Sequence, residues 1–81
     1  MKLPRDLSGR QLARALRTFG YEVTREAGSH MRLTTIVRGE HHLTVPDHQS
    51  LRVGTLAAIL AEVATHHGLE RDAVVQQLFE S

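Results

Sequence analysis

The sequence predicts an α+β fold in which helices cover one face of a three-stranded antiparallel sheet, in the order α-β-β-β-α with an optional short third helix at the end. Three observations predict this fold. Apolar residues recur with the period of a helix in the first segment, alternate with the period of strands in the middle, and return to the helical period afterwards. The 81 residues are the length of one small domain, residues 1–81.

A start signal and a stop signal bound the first helix, in the stretch LSGRQLARALRTFG. Ser8 is placed as the N-cap, and Gln11 follows three residues later as its capping-box partner. Gly20 can adopt the left-handed conformation that ends a helix, so we expect the helix to run to Phe19. The apolar residues at helical spacing, which should be buried, are Leu12, Ala15, Leu16 and Phe19.

Three arginines of this helix, Arg10, Arg14 and Arg17, recur at i, i+4 and i+7 and therefore share one exposed side. No carboxylate stands at a spacing that would pair them within the helix. Residues 1–39 carry eight Lys and Arg against three Asp and Glu, a balance of +5, whereas the remainder carries −4. The arginines are therefore either an ordinary solvated surface or part of a contact for a polyanion.

Three strands are predicted where apolar residues occupy every second position. The segment AGS joins the first two strands, a turn at Arg38-Gly39-Glu40 precedes the third, and Pro46 ends it. The apolar set expected to face the helices comprises Tyr21, Val23, Met31, Leu33, Leu43 and Val45. Alternation then places on the opposite, open face of the sheet the side chains of His30, Arg32, His42 and Thr44.

A second long helix is predicted in the stretch GTLAAILAEVATHHG and should end at Gly68. The tail, residues 69–81, could form a third helix that packs on this domain, on a second copy or on a partner. The apolar residues at helical spacing are Leu56, Ile59, Leu60 and Val63 in the second helix, and Val74 with Leu78, or Val75 with Phe79, in the tail.

Several classes of protein are excluded by what the sequence lacks. The absence of cysteine excludes a disulfide scaffold and a thiol nucleophile. No apolar run approaches the roughly 20 residues of a membrane span, and the first residues lack the apolar centre of a signal peptide, so we expect a soluble, cytoplasmic chain. Neither neighbouring histidine pair, His41-His42 or His66-His67, can point both rings at one ion, so no metal cofactor is expected.

Three motifs in sequence resemble the HicA-type toxins, also called YcfA-like proteins. They are TFGYEV, the turn Gly28-Ser29-His30, and VPDHQSLRVGTLAAIL, and the resemblance covers roughly residues 7–64. It implies a fold like that of a double-stranded-RNA-binding domain and an endoribonuclease that cleaves messenger RNA, with His30 as the catalytic histidine and no cofactor. It also implies inhibition by a HicB-like antitoxin within a larger toxin–antitoxin assembly.

The residues near His30 suit such a reaction. RNA supplies its own nucleophile, the 2′-hydroxyl, and histidine has an unperturbed pKa of about 6.5, near cellular pH, so it can transfer a proton with little tuning. A glycine before it allows close approach of a phosphate, and an arginine on the same face can offset developing charge. The candidate substrate-binding residues are Gly28, Ser29, Arg32, Arg10, Arg14, Arg17 and His48.

Two other classes of function stay open at this point. The chain could be a non-catalytic RNA-binding module of the same fold, or a protein-interaction domain in which His30 is an ordinary turn residue. The low aromatic content, 4%, does not separate them, because double-stranded-RNA modules bind the backbone and need no base stacking.

Overall fold

The computed structural model describes residues 3–80 and confirms the predicted α+β fold, including the optional third helix. The elements are α1 (Gly9–Ala15), which continues as a 3₁₀ helix (Leu16–Phe19), β1 (Glu22–Ala27), β2 (His30–Thr35), β3 (His41–Pro46), α2 (Val53–His67) and α3 (Arg71–Phe79).

Helix α1 begins at the predicted capping box. The Ser8 hydroxyl accepts a hydrogen bond from the Gln11 N–H at 3.0 Å, and the Gln11 side chain accepts one from the Ser8 N–H at 2.9 Å. Gly20 ends the helical segment with a left-handed φ of 84°. Contrary to expectation, Ala15 is only half-buried and Ala13 is buried. The buried side of α1 is the regular helical stripe of Gly9, Leu12, Ala13 and Leu16, which includes Ala13 and leaves Ala15 at its margin.

The sheet has the strand order β1-β2-β3, with both pairs antiparallel. On the face towards the helices, Met31 pairs with Val45 and Leu33 pairs with Leu43, and all four side chains are buried. Val23, which pairs with Leu33, also faces the helices as predicted, but its side chain is 42% exposed. Val23 lies on β1, an outer strand, whereas the helices pack chiefly over β3.

A β-bulge interrupts β1 at Thr24. The register passes from Val23 opposite Leu33 directly to Arg25 opposite Arg32, so one extra residue stands on β1. Because side chains alternate between faces, this extra residue reverses which face each later residue of β1 occupies. Arg25 therefore shares the open face with Arg32, and Glu26 lies on the helix side.

The tail packs on its own domain. Val74 and Val75 of α3 are buried in the same core cluster as α1, α2 and the sheet, and Leu78 and Phe79 pack against it. Within residues 3–80, no helix is both long and apolar enough to cross a membrane.

Candidate functional site

A two-residue turn, Gly28-Ser29, presents His30 at the first position of β2. Ala27 belongs to β1 and pairs with His30, so the connection is one residue shorter than the predicted AGS. Gly28 has a left-handed φ of 60°, whereas the φ of Ser29 is not positive. This combination is expected of a type II′ hairpin turn, in which glycine occupies the first of the two turn positions. The His30 side chain is exposed, and is therefore accessible to a large substrate.

The segment after β3 holds this turn in place. The Asp47 N–H donates to the Ser29 carbonyl at 2.7 Å. The Arg10 guanidinium donates to Asp47 at 3.0 Å and to Glu26 of β1 at 2.8 Å. The hydrogen bond to Glu26 is the largest cause that raises the pKa of Arg10, and the one to Asp47 is the second. Arg10 thus connects the end of β1, next to the turn that carries His30, with Asp47 after β3, which is itself bonded to that turn.

Close packing at Gly9 brings α1 to this end of the sheet. Gly9 is buried, and a Cβ atom at this position would overlap the carbonyl oxygen of Pro46. Its N–H donates to the carbonyl of His48 at 2.9 Å. His48 therefore contributes a backbone contact that orders the loop after β3, while its own side chain is exposed.

The other two predicted arginines lie elsewhere. Arg14 and Arg17 are exposed and form no salt bridge with any described residue. Together with Arg10, they line a groove of about 160 Å³ beside Val23 and Met31. Met31 faces the helices, whereas His30, its neighbour on β2, occupies the opposite face. The structure thus brings Arg32 to the same face as His30, but not Arg14 or Arg17.

The open face is ordered in three rows by the strand register. The first row contains Ala27, His30 and Pro46, the second contains Arg25, Arg32 and Thr44, and the third contains Glu22, Thr34 and His42. The predicted placement of His30, Arg32, His42 and Thr44 on one face agrees with this register. Arg25 is an addition that simple alternation along β1 could not predict, because the bulge at Thr24 precedes it.

A chain of hydrogen bonds crosses the open face in the row that lies farthest from His30. Glu40 contacts His42 Nε2 at 2.8 Å, His42 Nδ1 lies 2.8 Å from the Thr34 hydroxyl, and that hydroxyl lies 2.9 Å from the hydroxyl of Thr24. A carboxylate thus orients an imidazole that contacts a hydroxyl, an arrangement that can move a proton. Thr34 is four residues along β2 from His30, about 13 Å of strand, so the two groups cannot act on one atom.

A cluster of three histidines and Tyr21 stabilises the β3 edge of the sheet. The Tyr21 hydroxyl lies 2.7 Å from His41 Nδ1 and 3.2 Å from His67 Nε2, and His66 stacks on His41 with ring centroids 4.4 Å apart. Burial is the main cause that lowers the pKa values of His41 and His67. It is also the main cause that raises the pKa of Tyr21 to about 12. No spacing in the sequence links these positions, so the cluster could not be predicted.

This histidine cluster is structural in character. The two stacked rings are nearly parallel, at 10°, and parallel rings cannot direct their nitrogens at one ion. His66 Nε2 donates instead to the carbonyls of Val37 and Gly39, at 3.0 Å each. In the part of the chain that the structure describes, no three His, Asp or Glu side chains are arranged to hold a metal ion.

Comparison with known protein families matches residues 9–64 to the family described as the HicA toxin of bacterial toxin–antitoxin systems. The matched region extends from the start of α1 into α2 and includes the Gly28-Ser29-His30 turn. No curated protein and no solved structure matches the chain.

Proposed function

The chain belongs to the HicA toxin family of bacterial toxin–antitoxin systems, and we propose that it acts there as a metal-independent endoribonuclease that cleaves messenger RNA, with His30 as the proton-transfer residue. The observation that carries this proposal is the position of His30. It is exposed, follows a tight glycine turn that is held to the segment after β3, and shares its face with Arg32.

The proposed reaction needs only what RNA and these residues supply. The 2′-hydroxyl oxygen attacks the adjacent phosphorus and loses its proton, the bond from phosphorus to the 5′-oxygen breaks, and that oxygen gains a proton. His30 takes or gives one of these protons. Arg32 offsets charge on the phosphate, and a Cβ at Gly28 would meet nothing within 4 Å, so the backbone of the turn is open to a phosphate.

The remaining candidate residues have supporting roles in this proposal. Arg10 braces the turn through Asp47 and Glu26, and His48 orders the loop by its backbone carbonyl. Arg14 and Arg17 contact RNA outside the reaction centre. We also propose that a HicB-like antitoxin covers the open face, and that the toxin–antitoxin assembly is cytoplasmic.

Replacing His30 with alanine tests the assignment. Cleavage of RNA should fall by roughly 10²- to 10⁴-fold, the usual contribution of a general acid or base. The melting temperature should stay near that of the wild type, because the side chain is exposed. Gln77→Ala, an exposed change on α3 outside the family match, serves as the control. A folded and fully active His30→Ala variant would refute the proposal.

Analysis of the products tests the identity of the nucleophile. Cleavage should persist in EDTA, leave a 2′,3′-cyclic phosphate and a 5′-hydroxyl, and fail on RNA with a 2′-O-methyl group at the cut. Products with a 5′-phosphate, or strict dependence on magnesium, would instead indicate a metal-activated water. RNA binding without any cleavage would favour the non-catalytic RNA-binding module.

A further inference from the structure

Two arginines stand directly opposite each other beside His30. Arg25 of β1 and Arg32 of β2 are register partners, both side chains are exposed, and neither forms a salt bridge with any residue among 3–80. Directly opposite residues of an antiparallel pair have Cβ atoms about 5 Å apart, and like charges in that position are destabilising. The fold therefore holds two positive charges together without a counter-charge.

The bulge at Thr24 creates this arrangement. A regular β1 would place Thr24 opposite Arg32 and Glu26 opposite His30, counting from the pair that Val23 makes with Leu33. The extra residue instead moves Arg25 opposite Arg32, and it moves Glu26 to the helix side, where it meets Arg10. One inserted residue thus removes a carboxylate from beside His30 and adds a guanidinium. Bulges that redirect side chains in this way are common next to active sites.

The acidic groups of the open face lie in the row on the other side of this pair from His30, and neither forms a salt bridge with Arg25 or Arg32. Glu22 occupies the third row, opposite Thr34, and Glu40 contacts His42 in that same row. The row with His30 contains Ala27 and Pro46, which carry no charge. Positive charge on the open face is therefore concentrated in the row next to His30.

We propose that Arg25 and Arg32 form an arginine fork that binds one phosphodiester group of a single-stranded RNA beside His30. This inference rests on the proposed function for the identity of the ligand. Arg32 is two residues from His30 along β2, about 6.6 Å, a step comparable with that between successive phosphates of an extended strand. Guanidinium groups bind phosphate oxygens in pairs, and an anion between the two arginines relieves their repulsion. Arg25 is thus a substrate-binding residue that no sequence motif marks.

Binding measured without cleavage tests the arginine fork. In the His30→Ala chain, Arg25→Gln should weaken binding of a short fluorescent single-stranded RNA by roughly tenfold, the loss expected for one charged hydrogen-bonded contact. The dependence of log K on log salt should become shallower by about 0.7, the value for one phosphate contact to a single strand. Arg25→Lys should keep that salt dependence but recover only part of the affinity. Arg71→Gln, the same charge change on α3, is the matched control and should leave both quantities unchanged.

Two further measurements distinguish a fork that shares one phosphate from two independent surface charges. The Arg25→Gln variant should melt at or slightly above the melting temperature of the parent chain, because a like-charge pair is removed. A large drop in melting temperature would refute the description of two arginines without a salt-bridge partner. Arg25→Gln and Arg32→Gln together should cost less than the sum of the two single changes, since both arginines hold one phosphate. Strictly additive losses would refute the shared phosphate.

The outcomes also distinguish failure of the fork from failure of the proposed function. If the wild-type chain cleaves RNA and Arg25→Gln binds like the Arg71→Gln control, the fork is wrong while the ribonuclease assignment stands. If Arg25→Gln weakens binding but no chain cleaves RNA, the fork is supported and the catalytic role of His30 fails. If Arg25→Gln weakens binding only to an acidic antitoxin and not to RNA, the fork as an RNA site is refuted.

Discussion

Replacing Gly9 with alanine should destabilise the fold, although alanine is the better helix former by up to about 1 kcal/mol. The added Cβ would overlap the Pro46 carbonyl oxygen, and it would lie 3.0 Å from the carbonyl carbon of Pro46 and 3.3 Å from Asp47 Cα. All three are backbone atoms, so a rotamer change cannot relieve the overlap. The start of α1 must move away from the end of β3.

The size of the effect follows from two losses. Overpacking typically costs about 1–3 kcal/mol, and movement of α1 weakens the Gly9 N–H bond to the His48 carbonyl, 2.9 Å long, worth about 1 kcal/mol net. After the gain in helix propensity, the free energy of unfolding should fall by about 1–3 kcal/mol. For a domain of this length each 1 kcal/mol corresponds to about 4–8 °C, so the melting temperature should drop by roughly 5–25 °C.

Gly54 provides a matched control, because it lies in the first turn of α2 and an added Cβ would meet nothing within 4 Å. Gly54→Ala should therefore leave the stability unchanged or raise it by up to about 1 kcal/mol. Thermal and urea unfolding followed by circular dichroism would measure both variants. Equal effects of the two substitutions would refute the close packing of α1 on β3, and with it the way in which α1 positions the His30 turn.

Three further predictions can be tested by the same unfolding measurements. Because the pKa values of His41 and His67 are lowered in the folded protein, the unfolded chain binds more protons in mild acid, and stability should rise with pH up to about 6.5. The raised pKa of Tyr21, about 12, should make stability fall above about pH 10, where the unfolded tyrosine ionises, and Tyr21→Phe should abolish that alkaline loss; a flat profile in both ranges would contradict the buried cluster. Ser8→Ala should cost about 1 kcal/mol by removing one half of the capping box with Gln11, and an unchanged urea midpoint would show that the cap contributes nothing.

Most of the fold could be predicted because its signals are local. The capping box joins Ser8 to Gln11, the left-handed stops at Gly20 and Gly68 depend on single residues, and the strand period is visible within a few positions. The Gly28-Ser29-His30 turn is local in the same way. For these features the interacting atoms lie within about one helical turn or one hairpin, so a short stretch of sequence contains all the partners.

The features that could not be predicted depend on partners far apart in the chain. Arg10 meets Glu26 and Asp47, which are 16 and 37 residues away, and the Tyr21 hydroxyl meets a histidine 46 residues away. Their geometry depends on how the helices and strands pack, and exposed charges have no periodic pattern that would indicate a specific partner.

The bulge at Thr24 shows most clearly which features the local sequence determines and which depend on partners distant in the chain. Alternation along β1 correctly predicts a strand, but the face occupied by Arg25 depends on where β1 gains one residue relative to β2. That position is set by the pairing of β1 with β2, and the resulting register brings Glu26 to Arg10. The residues themselves therefore specify the strands, the turn and His30, whereas the packed fold decides which charges surround His30, because a shift of one residue in register exchanges the two faces.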